Sequence, residues 1–227
     1  MEKYHYDPEE YPNLKRLAGE MIPCLETEAG WQDREIKETF PGRDQSFLAV
    51  GITLGKGIDE LQEKYLQNGF LTESYMIEVL SSELLLESYR AYTEWVVVHR
   101  NLHVARLHFL GGEISETSEQ IISSLLRLAN LPMLLQELAL PVTIRCITGN
   151  VTCNAAYCMI PKKSVVFYAE LTKDPFTKCA GICLGCGRRD CPNRMEEKEN
   201  FPLRFADMTD RPLSYGYARI FSKADVK

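Results

Sequence analysis

Apolar residues recur at helical spacing in the first hundred residues, interrupted by one almost continuous apolar run. Leu14, Leu17 and Met21 lie three or four positions apart and predict a first helix. The run 47–55 is bounded by glycine and predicts a buried strand. A second helix follows this strand and is predicted to end at Gly69.

The longest helical pattern covers residues 71 to about 95. Its apolar side chains lie three or four positions apart on one predicted face: Met76, Val79, Leu80, Leu84, Leu85, Tyr89 and Tyr92. Upstream, Gly30 is predicted to close the first structural unit, and downstream the segment 107–113 is predicted to be a loop. We therefore expect one long helix whose buried face packs on the rest of the chain.

Strand patterns dominate the second half of the chain. β-branched and aromatic residues predict strands at 142–148, 157–161, 164–169 and 214–221, and a short edge strand is predicted at 35–40. The chain shows no internal repeat, no low-complexity segment and no clear linker. A single domain over the whole chain is the simplest interpretation.

Three histidines, His99, His103 and His108, lie within ten residues. They are four and five positions apart, and no acidic residue lies between them. In an extended segment they would not all point to one face. We therefore predict partly exposed surface histidines rather than a metal site.

Composition narrows the class of protein. The 227 residues contain 45% hydrophobic and 26% charged side chains, as is ordinary for a globular domain. The formal net charge of −6 argues against broad nucleic-acid binding, which requires a basic face. No apolar run is long enough to span a bilayer, and the polar start of the chain does not resemble a signal peptide. We expect a cytoplasmic protein, in which clustered cysteines serve as metal ligands more often than as disulfides.

Half of the eight cysteines lie in one short loop. They follow the spacing C-x3-C-x2-C-x4-C, with a proline directly after the last, at Cys179, Cys183, Cys186 and Cys191. Interspersed glycines let the backbone curl tightly enough for several thiolates to face one centre. A close-spaced run that ends in Cys-Pro is typical of a loop that holds an iron–sulfur cube.

Zinc is the main alternative for this loop. Structural zinc sites usually use two cysteine pairs set well apart, because each pair supplies two ligands. Here all four thiols lie within residues 179–194, which favours a 4Fe–4S cluster and keeps zinc as the alternative. Disulfides, free thiols or a vestigial site complete the range of possibilities.

Basic residues accompany the cysteines. Arg188 and Arg189 lie inside the loop, where they would offset the negative charge of a thiolate cluster or form a solvated rim. Lys162 and Lys163 precede a predicted strand. They are suited to contact a carboxylate or phosphate, although a charged turn beside a strand explains them equally well.

Three blocks of sequence resemble one known family. They are Leu-Ala-Val-Gly-Ile-Thr-Leu-Gly at 48–55, Met-Ile-Pro-Lys-Lys-Ser-Val at 159–165, and Cys-Leu-Gly-Cys-Gly-Arg-Arg-Asp-Cys-Pro-Asn-Arg at 183–194. In this order they are similar to the activation (reactivation) domain of cobalamin-dependent methionine synthase, and most of all to its short stand-alone bacterial forms. The similarity spans about residues 45–194.

The resemblance implies an α+β fold with a bent, mixed or antiparallel sheet flanked by helices. It implies an accessory protein that reactivates a corrinoid-dependent methyltransferase by reduction, with S-adenosylmethionine as methyl donor and cobalamin (vitamin B12) carried by the partner. The partners would be a corrinoid-binding protein or methyltransferase and an electron donor such as ferredoxin or flavodoxin. Taken with the chemistry of the residues, the candidate cofactor contacts are Lys162, Lys163, Ser164, Arg188 and Arg189, and the four clustered cysteines are the candidate metal ligands.

The chain departs from the family at one segment. The family lines its adenosylmethionine site with a Gly-Tyr segment, but the expected place near 107–113 reads Leu-His-Phe-Leu-Gly-Gly-Glu. The chain also shows no pair of nucleophile and base, so an enzymatic activity of its own stays an open question. The alternative function is a non-enzymatic module that binds a corrinoid or a partner protein and carries a structural zinc or cluster.

Overall fold

A computed structural model describes residues 7–34, 46–110, 132, 135–136, 151–177 and 179. The helices are α1 (Tyr11–Met21), α2 (Gly57–Gln67) and α3 (Leu71–Arg100), and short 3-10 turns at Pro8–Glu10 and Ile22–Cys24 flank α1. The strands are β1 (Glu28–Arg34), β2 (Ser46–Thr53), β3 (His103–Phe109), β4 (Thr152–Cys153), β5 (Met159–Ile160) and β6 (Ser164–Thr172).

Four of these strands form one antiparallel sheet in the order β1-β2-β6-β3. β4 and β5 form a separate two-stranded hairpin. Both central strands are predicted from the sequence, β2 from its apolar run and β6 from β-branched and aromatic residues. β2 is buried from its second residue to its last, and β6 is mostly buried. Helices combined with an antiparallel sheet confirm the predicted α+β class.

Both faces of the sheet are covered. On one face, inward side chains of β2, β3 and β6 pack against aromatic and aliphatic residues of the second half of α3: Tyr89, Tyr92, Trp95 and Val96. On the other face, Phe47, Ala49, Val166 and Tyr168 pack with Leu135 and Val151. Because a strand covered on both faces needs apolar residues at every position, β2 and β6 lack the alternation of a half-exposed strand.

The helices form a third apolar cluster. α1 contributes Leu14, Leu17 and Met21, and these pack against α2 and the first half of α3. α2 ends as predicted at Gly69, whose φ of +81° lies in the left-handed region. The Phe70 N–H then donates to the Tyr65 carbonyl, which is the closing bond of a Schellman motif. The two helices are thereby joined by a tight turn.

Three sequence predictions are wrong at their boundaries. Gly30 does not close a unit, because β1 runs through it and pairs it with Gly51 of β2. The long helix continues past its predicted end to Arg100 and ends at Asn101, which has a φ of +50°. The predicted loop at 107–113 overlaps β3, which extends to Phe109. In each case pairing or packing with distant residues decides the boundary, which local composition does not show.

Other predictions fall partly or wholly outside these residues. The predicted strands at 35–40, 142–148 and 214–221 lie outside the part of the chain that the structure describes. The predicted strand 164–169 is confirmed and extends to Thr172, whereas only Met159–Ile160 of the predicted strand 157–161 is extended in a strand. None of the helices in the described ranges has the length and apolarity required to cross a membrane.

The turn after β2 is packed directly against the segment that precedes β1. The Glu26 N–H donates to the Leu54 carbonyl at 3.0 Å. Gly55 has a φ of +84°, and a Cβ added to it would lie 2.4 Å from the Glu26 Cβ. Glycine is therefore required at this position both for its backbone conformation and for the space it leaves.

We expect Gly55→Ala to lower the free energy of unfolding by about 2–4 kcal/mol, because strain at positive φ adds to a steric clash. Gly69→Ala separates the backbone strain from the steric clash. Gly69 has a similar φ of +81°, but a Cβ added there would have no neighbour within 4 Å. We therefore expect this variant to lose only about 1 kcal/mol of unfolding free energy. Gly19→Ala in α1, also without close neighbours, should be neutral or stabilising. Urea unfolding of the three variants measures this order, and equal losses for the first two would contradict the clash.

Candidate functional site

The loop before β6 joins two of the sequence blocks that carry the family resemblance. The Leu54 N–H donates to the Lys163 carbonyl at 2.9 Å, next to the end of β2. The Ser164 hydroxyl donates to Thr53 Oγ1 at 2.8 Å. The Lys162 N–H donates to Asp59 Oδ2, in α2, also at 2.8 Å. More than a hundred residues apart in sequence, the two blocks are therefore neighbours in the fold.

Lys163 is part of the protein interior. Its side chain is only 10% exposed, and its ammonium donates to the Glu78 carboxylate and, at 3.0 Å, to Ser82 Oγ. Both partners belong to α3, so the lysine ties the start of β6 to the long helix. Burial of an ammonium requires such partners, because an unpaired buried charge costs several kcal/mol.

The three candidate contacts in this loop therefore differ in what they can reach. Lys163 and Ser164 are buried and hydrogen-bonded within the fold. Lys162 is held by its backbone N–H, while its side chain is exposed. Of the three, the side chain of Lys162 is the one that faces solvent, where a ligand would arrive.

Lys162 lines a groove of about 410 Å³, which we call the β3–β6 groove. In the described part of the chain its walls come from the end of β3, the β4–β5 hairpin and the start of β6. The lining residues there are Phe109, Leu110, Tyr157, Cys158, Met159, Lys162, Val165 and Val166. The last residue of β3 paired with β6 is Phe109, opposite Phe167. Val165 and Val166 extend beyond this last pair, so the groove lies where the pairing of β3 with β6 ends.

One side chain shapes the hairpin that walls the groove. Asn154 Oδ1 accepts the N–H groups of Ala156 at 2.9 Å and Cys158 at 3.0 Å. The Tyr157 N–H donates to the Asn154 carbonyl, and Tyr157 has a φ of +59°. A left-handed tyrosine is uncommon, and here a set of short hydrogen bonds holds it. The hairpin thus presents Tyr157 and Cys158 in a defined position.

Sequence reasoning identified only Lys162 among the groove residues. Tyr157 and Cys158 were predicted inside a strand, and Phe109 inside a loop. The Asn-Ala-Ala sequence at 154–156 is a turn signal that favours the observed hairpin. No local signal could have grouped the rest, because the groove forms from segments about fifty residues apart.

Cys179 is the one member of the cysteine run that the structure describes. It is half-buried against the apolar cluster between α3 and the sheet, and this burial raises the pKa of its thiol. The candidate residues Cys183, Cys186, Cys191, Arg188 and Arg189 lie outside the described residues. Within the described ranges, no group of three or more His, Cys, Asp or Glu side chains could hold a metal ion.

The prediction of surface histidines is wrong for His108. It is 7% exposed, and its Nε2 lies 2.9 Å from Glu170 Oε2 on the neighbouring strand. His99 is exposed on α3 with Nδ1 3.0 Å from the Trp95 carbonyl, and His103 begins β3. One of the three histidines thus lies on α3 and the other two lie on β3, and they do not form a group that could hold a metal ion.

Comparison with known proteins adds no relative to this picture. No protein-family model matches the chain, and no match is found among curated proteins. The functional argument therefore depends on the residues themselves.

The Lys163–Glu78 pair predicts an asymmetry between its two partners. Glu78→Gln leaves a buried ammonium without a counter-charge, and we expect it to lower the free energy of unfolding by about 1–3 kcal/mol. Lys163→Met leaves a carboxylate that is already 42% exposed and can be hydrated, so the loss should be under about 1 kcal/mol. Glu94→Gln, an exposed residue in the interior of the same helix, is the control and should be close to neutral. Equal losses for the first two variants in urea unfolding would show that the ammonium is not effectively buried.

Proposed function

We propose that the chain is a cytoplasmic accessory protein for the reductive reactivation of a corrinoid-dependent methyltransferase. The observation that carries the proposal is the cysteine run C-x3-C-x2-C-x4-C followed by proline, within a glycine-rich loop. The direct hydrogen bonding between the blocks at 48–55 and 159–165 supports it, because blocks of one functional unit are expected to lie together. The resemblance to the activation domain of cobalamin-dependent methionine synthase supplies the reaction.

The thiol donors fit an iron–sulfur cluster. When bound, such a cluster would supply a one-electron carrier of low potential, as the reduction of cob(II)alamin requires. Cys179, Cys183, Cys186 and Cys191 would hold it as thiolates, and Arg188 and Arg189 would offset their charge. A ferredoxin or flavodoxin would donate the electron, and S-adenosylmethionine would provide the methyl group for the partner's cobalamin.

Metal binding at Cys179 would be coupled to the release of a proton. Because burial raises the pKa of its thiol, the free protein keeps Cys179 protonated near neutral pH. Only the thiolate binds a metal, so binding must release this proton. The packing of Cys179 against the sheet also fixes one end of the loop to the body of the fold.

That same packing favours a second candidate function. A cysteine anchored to the apolar core is well placed to attach the C-terminal third of the chain through zinc or a cluster. In this alternative the protein is a non-enzymatic module that binds a corrinoid or a partner protein. The two candidates differ in the metal bound and in the effect of losing it.

We expect the anaerobically purified protein to contain iron and sulfide, and to give an EPR signal on reduction. Cys186→Ser should abolish the signal and the reduction of added cob(II)alamin, because one ligand is lost. Cys158→Ser removes an exposed thiol from the β3–β6 groove and is the matched control, with no effect expected on the signal. Zinc without iron or sulfide would remove the redox role and leave the binding module. A Cys186→Ser protein that unfolds would assign the site a structural role.

We expect metal affinity to increase with pH over a range of about 6.5–8.5, since each bound thiolate must first lose a proton. The sign follows from Cys179: its raised pKa leaves the thiol protonated across this range, so each step up in pH makes its proton easier to displace. Competition with a chelator at several pH values measures the slope. The slope should decrease in Cys179→Ser, and an unchanged slope would exclude Cys179 as a ligand.

A further inference from the structure

The β3–β6 groove has the size and the surface of a small-molecule site. Its volume of about 410 Å³ falls within the range of about 300–1,000 Å³ that such sites occupy. The apolar part of the lining includes Phe109, Val165 and Val166, and Met159 adds a side chain that adapts to the shape of a ligand. An apolar body of modest size would therefore replace water at this surface favourably.

The mouth of the groove has a defined structure and is not a gap between loosely packed segments. Hydrogen bonds to Asn154 fix the hairpin that carries Tyr157 and Cys158. They hold Tyr157 in the left-handed region, with 39% of the residue exposed. An aromatic ring held at the edge of an apolar groove offers a flat contact surface at little further cost in entropy.

The described part of the groove carries charge of one sign. Among the lining residues that the structure describes, Lys162 is the one with a charged side chain, and none is a carboxylate. The Lys162 backbone donates to Asp59, while its ammonium makes no ion pair with any residue in the described ranges. An anionic group at this end of the groove would meet an opposite charge, and a cationic group would meet a like charge.

We propose that the β3–β6 groove binds a small organic anion, with its apolar body on Phe109, Val165 and Val166 and its anionic group at Lys162. This inference goes beyond the proposed function, and does not depend on the cysteine loop. It also distinguishes the groove from a site for adenosylmethionine, because the sulfonium and ammonium of that molecule are cations and the described lining offers no carboxylate to receive them.

Three probes of the same shape test the role of charge: 4-phenylbutyrate, its neutral amide 4-phenylbutyramide, and the cationic 4-phenylbutylamine. Each is titrated into the full-length anaerobic protein. Binding is measured by protection of Cys158 from iodoacetamide, with peptide mass spectrometry resolving each cysteine and Cys24 as the remote reference. Methyl NMR of Met159 provides an independent measure.

We expect the carboxylate to bind about two- to fivefold more tightly than the amide, as for one solvent-exposed ion pair, and the amine to bind most weakly. Lys162→Gln should lower the affinity for the carboxylate to that for the amide. It should fold normally, because the exposed side chain is changed while the backbone bond to Asp59 stays. Lys173→Gln, an exposed lysine after β6, is the matched control and should change nothing.

A second variant tests the apolar contact separately. Tyr157→Asn keeps a residue that tolerates positive φ and removes the ring, so it should weaken all three probes by a similar factor. Equal affinities for the three probes, tightest binding of the amine, or no protection of Cys158 by the carboxylate up to about 10 mM would each overturn the proposal. A loss of affinity for the carboxylate in Lys173→Gln as large as that in Lys162→Gln would also overturn the proposal.

Discussion

The pairing of β2 with β6 is the constraint on which the rest of the structure depends. Eight residue pairs join the strands, from Ser46 opposite Leu171 to Thr53 opposite Ser164. Their side chains supply the apolar surface on both faces of the sheet, so α3 can pack on one face and Leu135 and Val151 on the other. Without this pair there is neither a sheet nor a surface for the helix to cover.

The two candidate sites come before and after β6 in the sequence. Before β6, the loop at 161–164 is tied to β2, α2 and α3 by a set of polar contacts, and the β3–β6 groove opens beside it. After β6, the chain turns and reaches Cys179, the first cysteine of the run, seven residues after the strand ends at Thr172. The strand that completes the centre of the sheet is thus the link in the chain between the two sites.

The neighbouring residues Lys162 and Lys163 have different roles in this fold: one side chain is used in packing, and the other is exposed to solvent. Lys163 appears functional in sequence because it stands beside Lys162 in a family-like block, yet its ammonium is used to join β6 to α3. Lys162 precedes it by one position. Its backbone N–H is bonded to Asp59, while its exposed side chain lines an apolar groove. Both lysines lie in the bend at 161–163 before β6, and this bend gives the two neighbouring side chains different surroundings.

The sequence by itself determined the class of the fold, and it predicts the chemistry of the cysteine run. A continuous apolar run predicts β2, because a strand covered on both faces tolerates no polar alternation. β-branched and aromatic content predicts β6, and helical spacing predicts α1, α2 and most of α3. Thiol spacing predicts a metal or cluster because ligand geometry is local. Tertiary structure alone decided the rest: that β1 passes through Gly30, that His108 is buried beside Glu170, and that Phe109, Tyr157 and Lys162 line one groove. These features depend on contacts between segments distant in sequence, and local composition carries no record of such contacts.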